Sequence, residues 1–248
     1  MKPRMILLHG FTGSGRVFDH LRDGLSAVAD VETPDMPFHQ TGRCVNTDLM
    51  LDLDWRPVGG HAGPPLLLGY SMGGRFAMRE ALANPDRVGM LILESAHPGI
   101  ESELEREARR QRDATLAASI VDDYDRFLAA WNRLPLFASP SDAPSEPRER
   151  FEAIQRSHVP SRMANSLIEH GAGTMLPVRD RLHTLPMPVL AITGASDKTY
   201  TDLWAGIASD APNIRHAIVP DAGHRVHLDN PTAYLSILLS FIQDHLPS

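Results

Sequence analysis

Five short, mainly apolar runs divide the chain, and each ends at glycine, proline or a polar residue. They are Met5–Leu8, Leu66–Leu68, Val88–Leu93, Val189–Ile192 and Ile214–Val219. Runs of this length are typical of strands that are buried on both faces of a sheet. Segments with helical periodicity follow three of them: Arg75–Ala83, Thr201–Ala208 and Thr232–Leu246. This alternation predicts an α/β fold, with a mostly parallel central sheet flanked by helices.

The segment from residue 98 to residue 185 interrupts this alternation. Glu101–Ile120 is charged, with apolar residues at approximate helical spacing, and Ser139–Glu149 is rich in proline, serine and acidic residues. The first pattern predicts a helix and the second predicts a loop. We therefore expect a helical lid inserted into one core. The expected division is residues 1–97 for the first part of the core, 98–185 for the lid and 186–248 for the second part of the core.

Ser71 is enclosed by glycines at the end of the second run, where Gly69-Tyr70-Ser71-Met72-Gly73 fits the pattern G-x-S-x-G. A strand that turns sharply into a helix strains the residue at the apex, so the flanking positions must be small. The apex hydroxyl is then exposed above the edge of the sheet. The amide end of the following helix favours negative charge at the same place. Ser71 is therefore the candidate catalytic hydroxyl.

A serine hydroxyl needs a base, and a histidine base needs an acid that orients it. His224 follows the last predicted strand and precedes a helix, while Asp197 follows the fourth predicted strand. The chain order Ser71, Asp197, His224 is the order expected on this type of sheet. Asp221 is the reserve candidate for the acid.

A glycine-containing loop after the first run completes the predicted catalytic centre. The loop reads His9-Gly10-Phe11-Thr12-Gly13. Main-chain amides at the carboxyl end of a strand can bind an oxygen atom that becomes negatively charged during a reaction. We expect the amides of Phe11 and of Met72, the residue after the serine, to form this oxyanion hole.

Composition narrows the partners and the compartment. The 248-residue chain has a formal net charge of −7 and no long basic run, which disfavours nucleic acid and anionic membranes as partners. The single cysteine, Cys44, cannot form an internal disulfide, so no oxidising compartment is required. No apolar stretch approaches the ~20 residues of a membrane helix, and the run before His9 is too short for a signal peptide. We expect a cytoplasmic protein.

Six segments carry a resemblance to a known family. They are Leu8–Gly15 (LHGFTGSG), Gly69–Arg75 (GYSMGGR), Glu94–Asp113, Phe127–Ser139, Gln155–Ser157 (QRS) and Ala222–Pro231 (AGHRVHLDNP). On these residues nearly the whole chain resembles the α/β-hydrolase superfamily. Within it, the chain resembles the 2-succinyl-6-hydroxy-2,4-cyclohexadiene-1-carboxylate (SHCHC) synthases of menaquinone biosynthesis. The histidine-proline-glycine segment with its arginine helix, the W-x-x-x-P-L-F stretch and the arginine after GYSMGG are the more specific motifs.

The resemblance implies a lyase that eliminates pyruvate from 2-succinyl-5-enolpyruvyl-6-hydroxy-3-cyclohexene-1-carboxylate, a small anionic substrate with three carboxylates. It implies that Arg75, Arg109 and Arg156 bind those carboxylates, since a guanidinium pairs with a carboxylate through two parallel hydrogen bonds. It also implies that Tyr70 and Trp131 line the pocket. The serine would then act as a general base, and neither a cofactor nor a metal is expected.

The chain also departs from the family's pattern. The usual D-x-P-G-H-G loop reads DMPFHQ at positions 35–40, which leaves the shape of the loop around Phe38–Gln40 open. A family glutamine before a proline is Leu176 here, and the aromatic residue after the tryptophan is Asn132. The first predicted strand is the one before the oxyanion loop, so we expect a shortened N-terminus relative to the superfamily.

Two alternatives stay open from the sequence. The same three catalytic residues could serve a carboxylesterase or a carbon–carbon bond hydrolase, in which the serine or a water that it positions attacks a carbonyl. The fold could also serve a ligand receptor without catalysis, although the apparently complete triad argues against that. The oligomeric state is open, and a monomer is compatible with the sequence.

Overall fold

The computed structural model describes residues 2–36, 63–140 and 143–246. The strands of its central sheet are β1 (Arg4–Leu8), β2 (Asp30–Glu32), β3 (Leu66–Tyr70), β4 (Met90–Glu94), β5 (Val189–Gly194) and β6 (Ile214–Val219). Their spatial order is β2-β1-β3-β4-β5-β6, and every neighbouring pair is parallel. The five predicted strands are all present. β2 was not predicted, because a three-residue edge strand with two acidic residues leaves no apolar run.

Helices cover both faces of the sheet. The described α-helices are α1 (Arg22–Ser26), α2 (Met72–Ala83), α3 (Glu103–Asp122), α4 (Tyr124–Asn132), α5 (Ser145–Arg156), α6 (Pro160–His170), α7 (Lys198–Asp210), α8 (Val226–Asp229) and α9 (Pro231–His245). One core packs α9 against the sheet through Leu238 and Phe241, and the other packs α2 and α7 through Phe76 and Trp204. Burial of apolar side chains on both faces explains why the four inner strands read as continuous apolar runs. The predicted fold class is confirmed.

Helices α3 to α6 lie between β4 and β5 in the chain, and we call them the inserted helices. Helices α3, α4 and α6 share a smaller apolar cluster that includes Ile120, Phe127 and Met163, whereas α5 packs its Phe151 and Ile154 into the core that also holds α9. The predicted loop over Ser139–Glu149 is too long, because α5 already begins at Ser145. The first turn of α5 accommodates Pro147, and the helix buries Phe151 and Ile154. The division of the chain into core and lid stays a prediction.

Two earlier expectations cannot be placed. Cys44 and the loop around Phe38–Gln40 lie outside the described residues. Among the residues that are described, no helix combines the length and the apolar composition needed to cross a bilayer.

His9, at the end of β1, is fully buried and uses both ring nitrogens. Its Nδ1 donates to the carbonyl of Gly10 at 2.8 Å, and its Nε2 accepts from the amide of Met36 at 2.9 Å. A protonated ring would lose its acceptor and would carry a charge without water. Burial accordingly lowers the pKa of His9 from 6.5 to about 4.

We therefore expect acid to destabilise the fold between about pH 6.5 and pH 4. In that range His9 binds a proton in the unfolded chain but not in the folded one. The contribution of its neutral ring to the free energy of unfolding is therefore complete above pH 6.5 and is lost as the pH falls. The loss from this one group is of the order of 3 kcal/mol at pH 4. The midpoint of urea unfolding, measured across this range, should fall less steeply for His9→Gln than for the wild type. His245→Gln, at the exposed C-terminal end of α9, is the control; an unchanged pH slope in His9→Gln would contradict the assignment.

Candidate active site

The turn between β3 and α2 holds Ser71 in a strained conformation. Its φ is +52° and its ψ is −110°, a combination that residues with side chains rarely adopt. Close packing leaves no alternative: a Cβ on Gly73 would lie 2.2 Å from the carbonyl oxygen of Leu8, and one on Gly69 would lie 2.5 Å from that of Gly73. The amide of Ser71 donates to the main-chain oxygen of Glu94 at 2.8 Å. The hydroxyl is thereby held at the carboxyl end of the sheet.

The three predicted catalytic residues meet at hydrogen-bond distance. His224 Nε2 is 3.2 Å from Ser71 Oγ, and His224 Nδ1 donates to Asp197 Oδ2 at 2.8 Å. Asp197 caps α7 by accepting from the amide of Tyr200, so the carboxylate is held by a helix terminus. A carboxylate on Nδ1 leaves Nε2 as the acceptor that faces the serine. The reserve candidate, Asp221, is exposed, whereas Asp197 and His224 are buried.

A cavity of about 220 Å³ opens above Ser71. Its lining residues are Phe11, Ser71, Met72, Arg75, His97, Ile100, Arg109, Trp131, Leu136, Phe137, Leu167, Ala172, Tyr200 and His224. The lining includes both predicted oxyanion residues. Met72 is the first residue of α2, where main-chain amides have no partner within the helix. An oxygen atom bound beside Ser71 would meet this positive helix end.

Two guanidinium groups reach the same cavity. Arg75, in the first turn of α2, is 8% exposed; its Nη2 donates to the carbonyl of His170 at 3.1 Å. Its Nη1 is buried and has no hydrogen-bond partner among the described residues. Burial, and then the charge of Arg109, lower the pKa of Arg75 to about 10, so Arg75 remains charged at neutral pH. The cavity thus holds positive charge that the described residues leave only partly compensated.

Asp113 orients the second guanidinium. Arg109 Nε donates to Asp113 Oδ1 at 2.9 Å, one turn apart on α3. Burial raises the pKa of Asp113, against the opposing effect of Arg109. His97 lines the cavity beside these charges, and burial followed by Arg75 lowers its pKa. Its Nδ1 accepts from the amide of Gly99, so the neutral ring can donate through Nε2.

Arg156 is not brought to the cavity, and this corrects the expectation of a third cation there. Its side chain is 64% exposed and pairs with Glu152 on the same helix. It lines a separate groove of about 650 Å³ between α4 and α5. The reason lies in helical geometry: α5 buries Phe151, Ile154 and Gln155, which places the next residue on the outer side. The helical spacing of Phe151 and Ile154 in the sequence could have indicated that Arg156 lies on the exposed side of the helix.

The two predicted aromatic residues differ in their positions. Trp131 lines the cavity, with its ring centroid 5.5 Å from that of Phe11. Tyr70 is buried behind the triad instead, with its ring 5.8 Å from that of His224. This corrects the expectation that Tyr70 lines the pocket. A residue preceding the strained serine lies on the opposite face of the strand, which directs its ring into the core.

A second buried histidine–carboxylate pair was missed by the sequence analysis. His227 Nδ1 donates to Glu94 Oε1 at 2.7 Å, and its main-chain amide donates to the same oxygen at 3.0 Å. Both side chains are fully buried. Glu94 also accepts the amide of Ser71 through its main chain. The pair therefore ties the segment after His224 to the strand that supports the serine.

Comparisons with known proteins agree with this architecture. A family model described as "Alpha/beta hydrolase family" matches residues 5–237. A Bacillus subtilis (strain 168) protein, provisionally named a 2-succinyl-6-hydroxy-2,4-cyclohexadiene-1-carboxylate synthase, is 31% identical over 249 residues, which span 96% of this chain and 89% of the relative. A protein of Klebsiella pneumoniae subsp. pneumoniae with the same synthase name is 29% identical over 251 residues, which span 97% and 94%.

A solved structure is similar over almost the whole chain. The structure of MenH from S. aureus aligns with a TM-score of 0.88 and 27% sequence identity, covering 98% of this chain and 94% of the other. The similarity therefore includes the inserted helices as well as the sheet.

The triad geometry predicts that the reactivity of Ser71 depends on Asp197 and not on Asp221. Asp197→Asn should slow the sulfonylation of Ser71 by phenylmethanesulfonyl fluoride roughly a hundredfold or more, because the histidine tautomer is no longer fixed. Asp221→Asn is the matched control, since asparagine tolerates the positive φ of 51° at that position. Mass spectrometry of the labelled peptide gives the rate; equal rates in the two variants would refute the assignment.

Proposed function

The chain belongs to the alpha/beta hydrolase family and, within it, to the group that contains the SHCHC synthases, and from this membership we propose its reaction. It is a carbon–oxygen lyase that eliminates pyruvate from 2-succinyl-5-enolpyruvyl-6-hydroxy-3-cyclohexene-1-carboxylate and releases SHCHC. The substrate carries three carboxylates, one on the ring, one on the succinyl chain and one on the enolpyruvyl group. The site must therefore bind an anion while it removes a proton.

The buried Nη1 of Arg75, which has no hydrogen-bond partner in the described part of the chain, is the observation that carries this proposal. A buried donor without an acceptor costs roughly 1–3 kcal/mol, and more when it is charged. Such a group persists where a ligand satisfies it, and a carboxylate matches the guanidinium through paired hydrogen bonds. Arg109 lines the same cavity, so two carboxylates of one substrate can be held there. A neutral ester would bring no negative charge to the Nη1 of Arg75, while Arg109 would keep its bond to Asp113.

Ser71 acts in this proposal as the base that starts the reaction. Its hydroxyl removes the proton from the ring carbon next to the succinyl carbonyl, and passes its own proton to His224 Nε2. Asp197 stabilises the imidazolium that forms. Proton transfer by a positioned group of this kind contributes roughly 10²- to 10⁴-fold to the rate.

The main-chain amides of Phe11 and Met72 stabilise the enolate in this scheme. As the proton leaves, negative charge develops on the succinyl carbonyl oxygen, beside the positive end of α2. One such donor contributes about 3–4 kcal/mol to the transition state. The electrons then move through the ring double bond and expel the enolpyruvyl oxygen as pyruvate enolate. The enolate takes up a proton, so the products are SHCHC and pyruvate, without water and without a covalent enzyme intermediate.

The proposal also includes the setting of the reaction. We infer a small-molecule enzyme that acts in the cytoplasm without nucleic acid and without a cofactor. The side chains named above are sufficient for the proton transfer and for the binding of two of the three carboxylates. The inserted helices form a lid in this proposal, because Arg109 and Trp131 reach the cavity from α3 and α4.

Pyruvate release tests the function. We expect the wild type to release pyruvate from the enolpyruvyl substrate, and Ser71→Ala to release none above background. Arg75→Met and Arg109→Met should each lower kcat/KM roughly 10- to 100-fold, because each removes a charged hydrogen bond to a carboxylate. Arg156→Met is the matched control and should stay within about twofold of the wild type, since that side chain lies outside the cavity. A coupled lactate dehydrogenase assay measures the product.

The complete triad also favours a second candidate, a hydrolase of small esters. In that case p-nitrophenyl acetate would be turned over rapidly, and turnover would survive both Arg75→Met and Arg109→Met. Absence of pyruvate release together with that result would replace the lyase by the esterase.

A further inference from the structure

A line of polar side chains connects two loops of the catalytic centre through the inserted helices. Its members are Arg225, Asn132, Gln155 and Thr12, and we call it the polar relay. It begins at the residue after the catalytic histidine and ends beside Phe11 in the oxyanion loop. Asn132 and Gln155 line the separate 650 Å³ groove and not the 220 Å³ cavity, so the two amide side chains lie outside the substrate site.

The first link joins the histidine loop to α4. Arg225 Nη2 donates to Asn132 Oδ1 at 2.7 Å. The guanidinium carbon lies 4.3 Å from the ring centre of Phe137 and 4.6 Å from that of Phe151, so two aromatic rings pack against the group. Burial lowers the pKa of Arg225, and Tyr70, the residue before the catalytic serine, opposes that effect. The bond to Asn132 and the two rings together position this buried cation.

The second link joins α4 and α5 to the oxyanion loop. Asn132 Nδ2 donates to Gln155 Oε1 at 2.8 Å, and Gln155 Nε2 donates to Thr12 Oγ1 at 2.9 Å. The hydroxyl of Thr12 donates in turn to the main-chain oxygen of Phe11 at 2.7 Å. Gln155 and Thr12 are both completely buried. Every bond in the relay thus runs in one donor direction, from the cation to a carbonyl of the oxyanion loop.

This direction makes each amide side chain specific. An amide donates with its nitrogen and accepts with its oxygen, whereas a carboxylate only accepts. Asn132 must accept from Arg225 and donate to Gln155, so aspartate could make the first bond and not the second. Gln155 stands under the same constraint. The relay therefore requires an amide side chain at both positions, and not only side chains of the right size.

Thr12 is where the relay acts on the catalytic centre. Its φ is +62°, an unfavourable region for a β-branched residue, and the surrounding structure must hold it there. The carbonyl of Thr12 also accepts from His158 at 3.1 Å. The Thr12 hydroxyl holds the carbonyl of Phe11, which belongs to the peptide after the one that carries the Phe11 amide. The bond therefore restricts the rotation of Phe11 between these two peptides.

We propose that the polar relay sets the positions of the Phe11 amide and of His224, with Asn132 and Gln155 as positioning residues on the inserted helices. Substrate binding does not use them, whereas the transition state does, through the oxyanion hole and the base. The kinetic part of this inference rests on the proposed lyase function. The structural part, the control of the oxyanion loop by α5, does not.

Gln155→Met tests the relay with a side chain of similar size. We expect kcat for pyruvate release to fall roughly tenfold, the effect of losing one hydrogen bond and leaving its partner unsatisfied, with KM within about twofold. Hydrogen–deuterium exchange of the peptide containing residues 9–13 should become faster. Asn132→Asp should have the same two effects, because it keeps the bond to Arg225 and loses the donor to Gln155. The double variant should be no slower than Gln155→Met alone, since members of one relay are not additive.

Tyr124→Phe is the matched control. Its hydroxyl donates to the main-chain oxygen of the same Gln155 at 2.9 Å, so the variant removes one bond between α4 and α5 and leaves the relay intact. We expect kcat and the exchange of the 9–13 peptide to stay at wild-type values.

The outcomes separate the two proposals. Equal loss of kcat in Tyr124→Phe and Gln155→Met, multiplicative effects in the double variant, or unchanged exchange at residues 9–13 in both Gln155→Met and Asn132→Asp would each overturn the relay. If the wild type releases no pyruvate, the lyase function fails, and the exchange data alone decide the relay. If Gln155→Met does not fold, Asn132→Asp decides it by the same measurements.

Discussion

The strained turn at Ser71 is the constraint on which the rest of the site depends. It exists only because two glycines allow α2 to begin almost in contact with the backbone at the end of β1. That contact brings the positive end of α2, the oxyanion loop and the serine hydroxyl to one place above the sheet. The loops after β5 and β6 then need only carry an acid and a histidine to the same edge, because the six strands found in the described residues are all parallel.

The electrostatics of the site run against those of the whole chain. The protein has a formal net charge of −7, yet its cavity is lined by two guanidinium groups and by His97, whose pKa is lowered by burial. A buried charge destabilises the fold when its partners compensate it only in part. Asp113 holds one guanidinium in place, whereas Arg75 keeps a donor that the described residues do not use. A pocket of this kind favours a small anion over a neutral substrate, independently of which bond is then broken.

The inserted helices contribute more than a cover to this arrangement. They supply Arg109 and Trp131 to the cavity. Two of their amide side chains also connect the histidine loop to the oxyanion loop by hydrogen bonds. A hydrolase fold can hold the same triad without such helices. In this chain the elements that surround the substrate are therefore connected to those that carry out the chemistry.

The sequence alone was enough to predict the fold class, five strands and the residues Ser71, Asp197 and His224, because these depend on local patterns. An apolar run, a glycine pair around a serine and a turn after a strand are each visible within about ten residues. The sheet then aligns the strand ends without further information. Arg156 and Tyr70 were misplaced, since the side of a helix or strand that faces the site is decided by what packs against it.

Tertiary structure alone decided the burial of Arg75, the Glu94–His227 pair and the relay from Arg225 to Thr12. The partners in these contacts are separated by 95, 133 and 143 residues in the chain. No local pattern encodes such a pairing, because in water each of these polar side chains would hydrogen-bond to solvent and would need no particular partner. Its partner becomes defined only when the core excludes water and leaves one acceptor within reach.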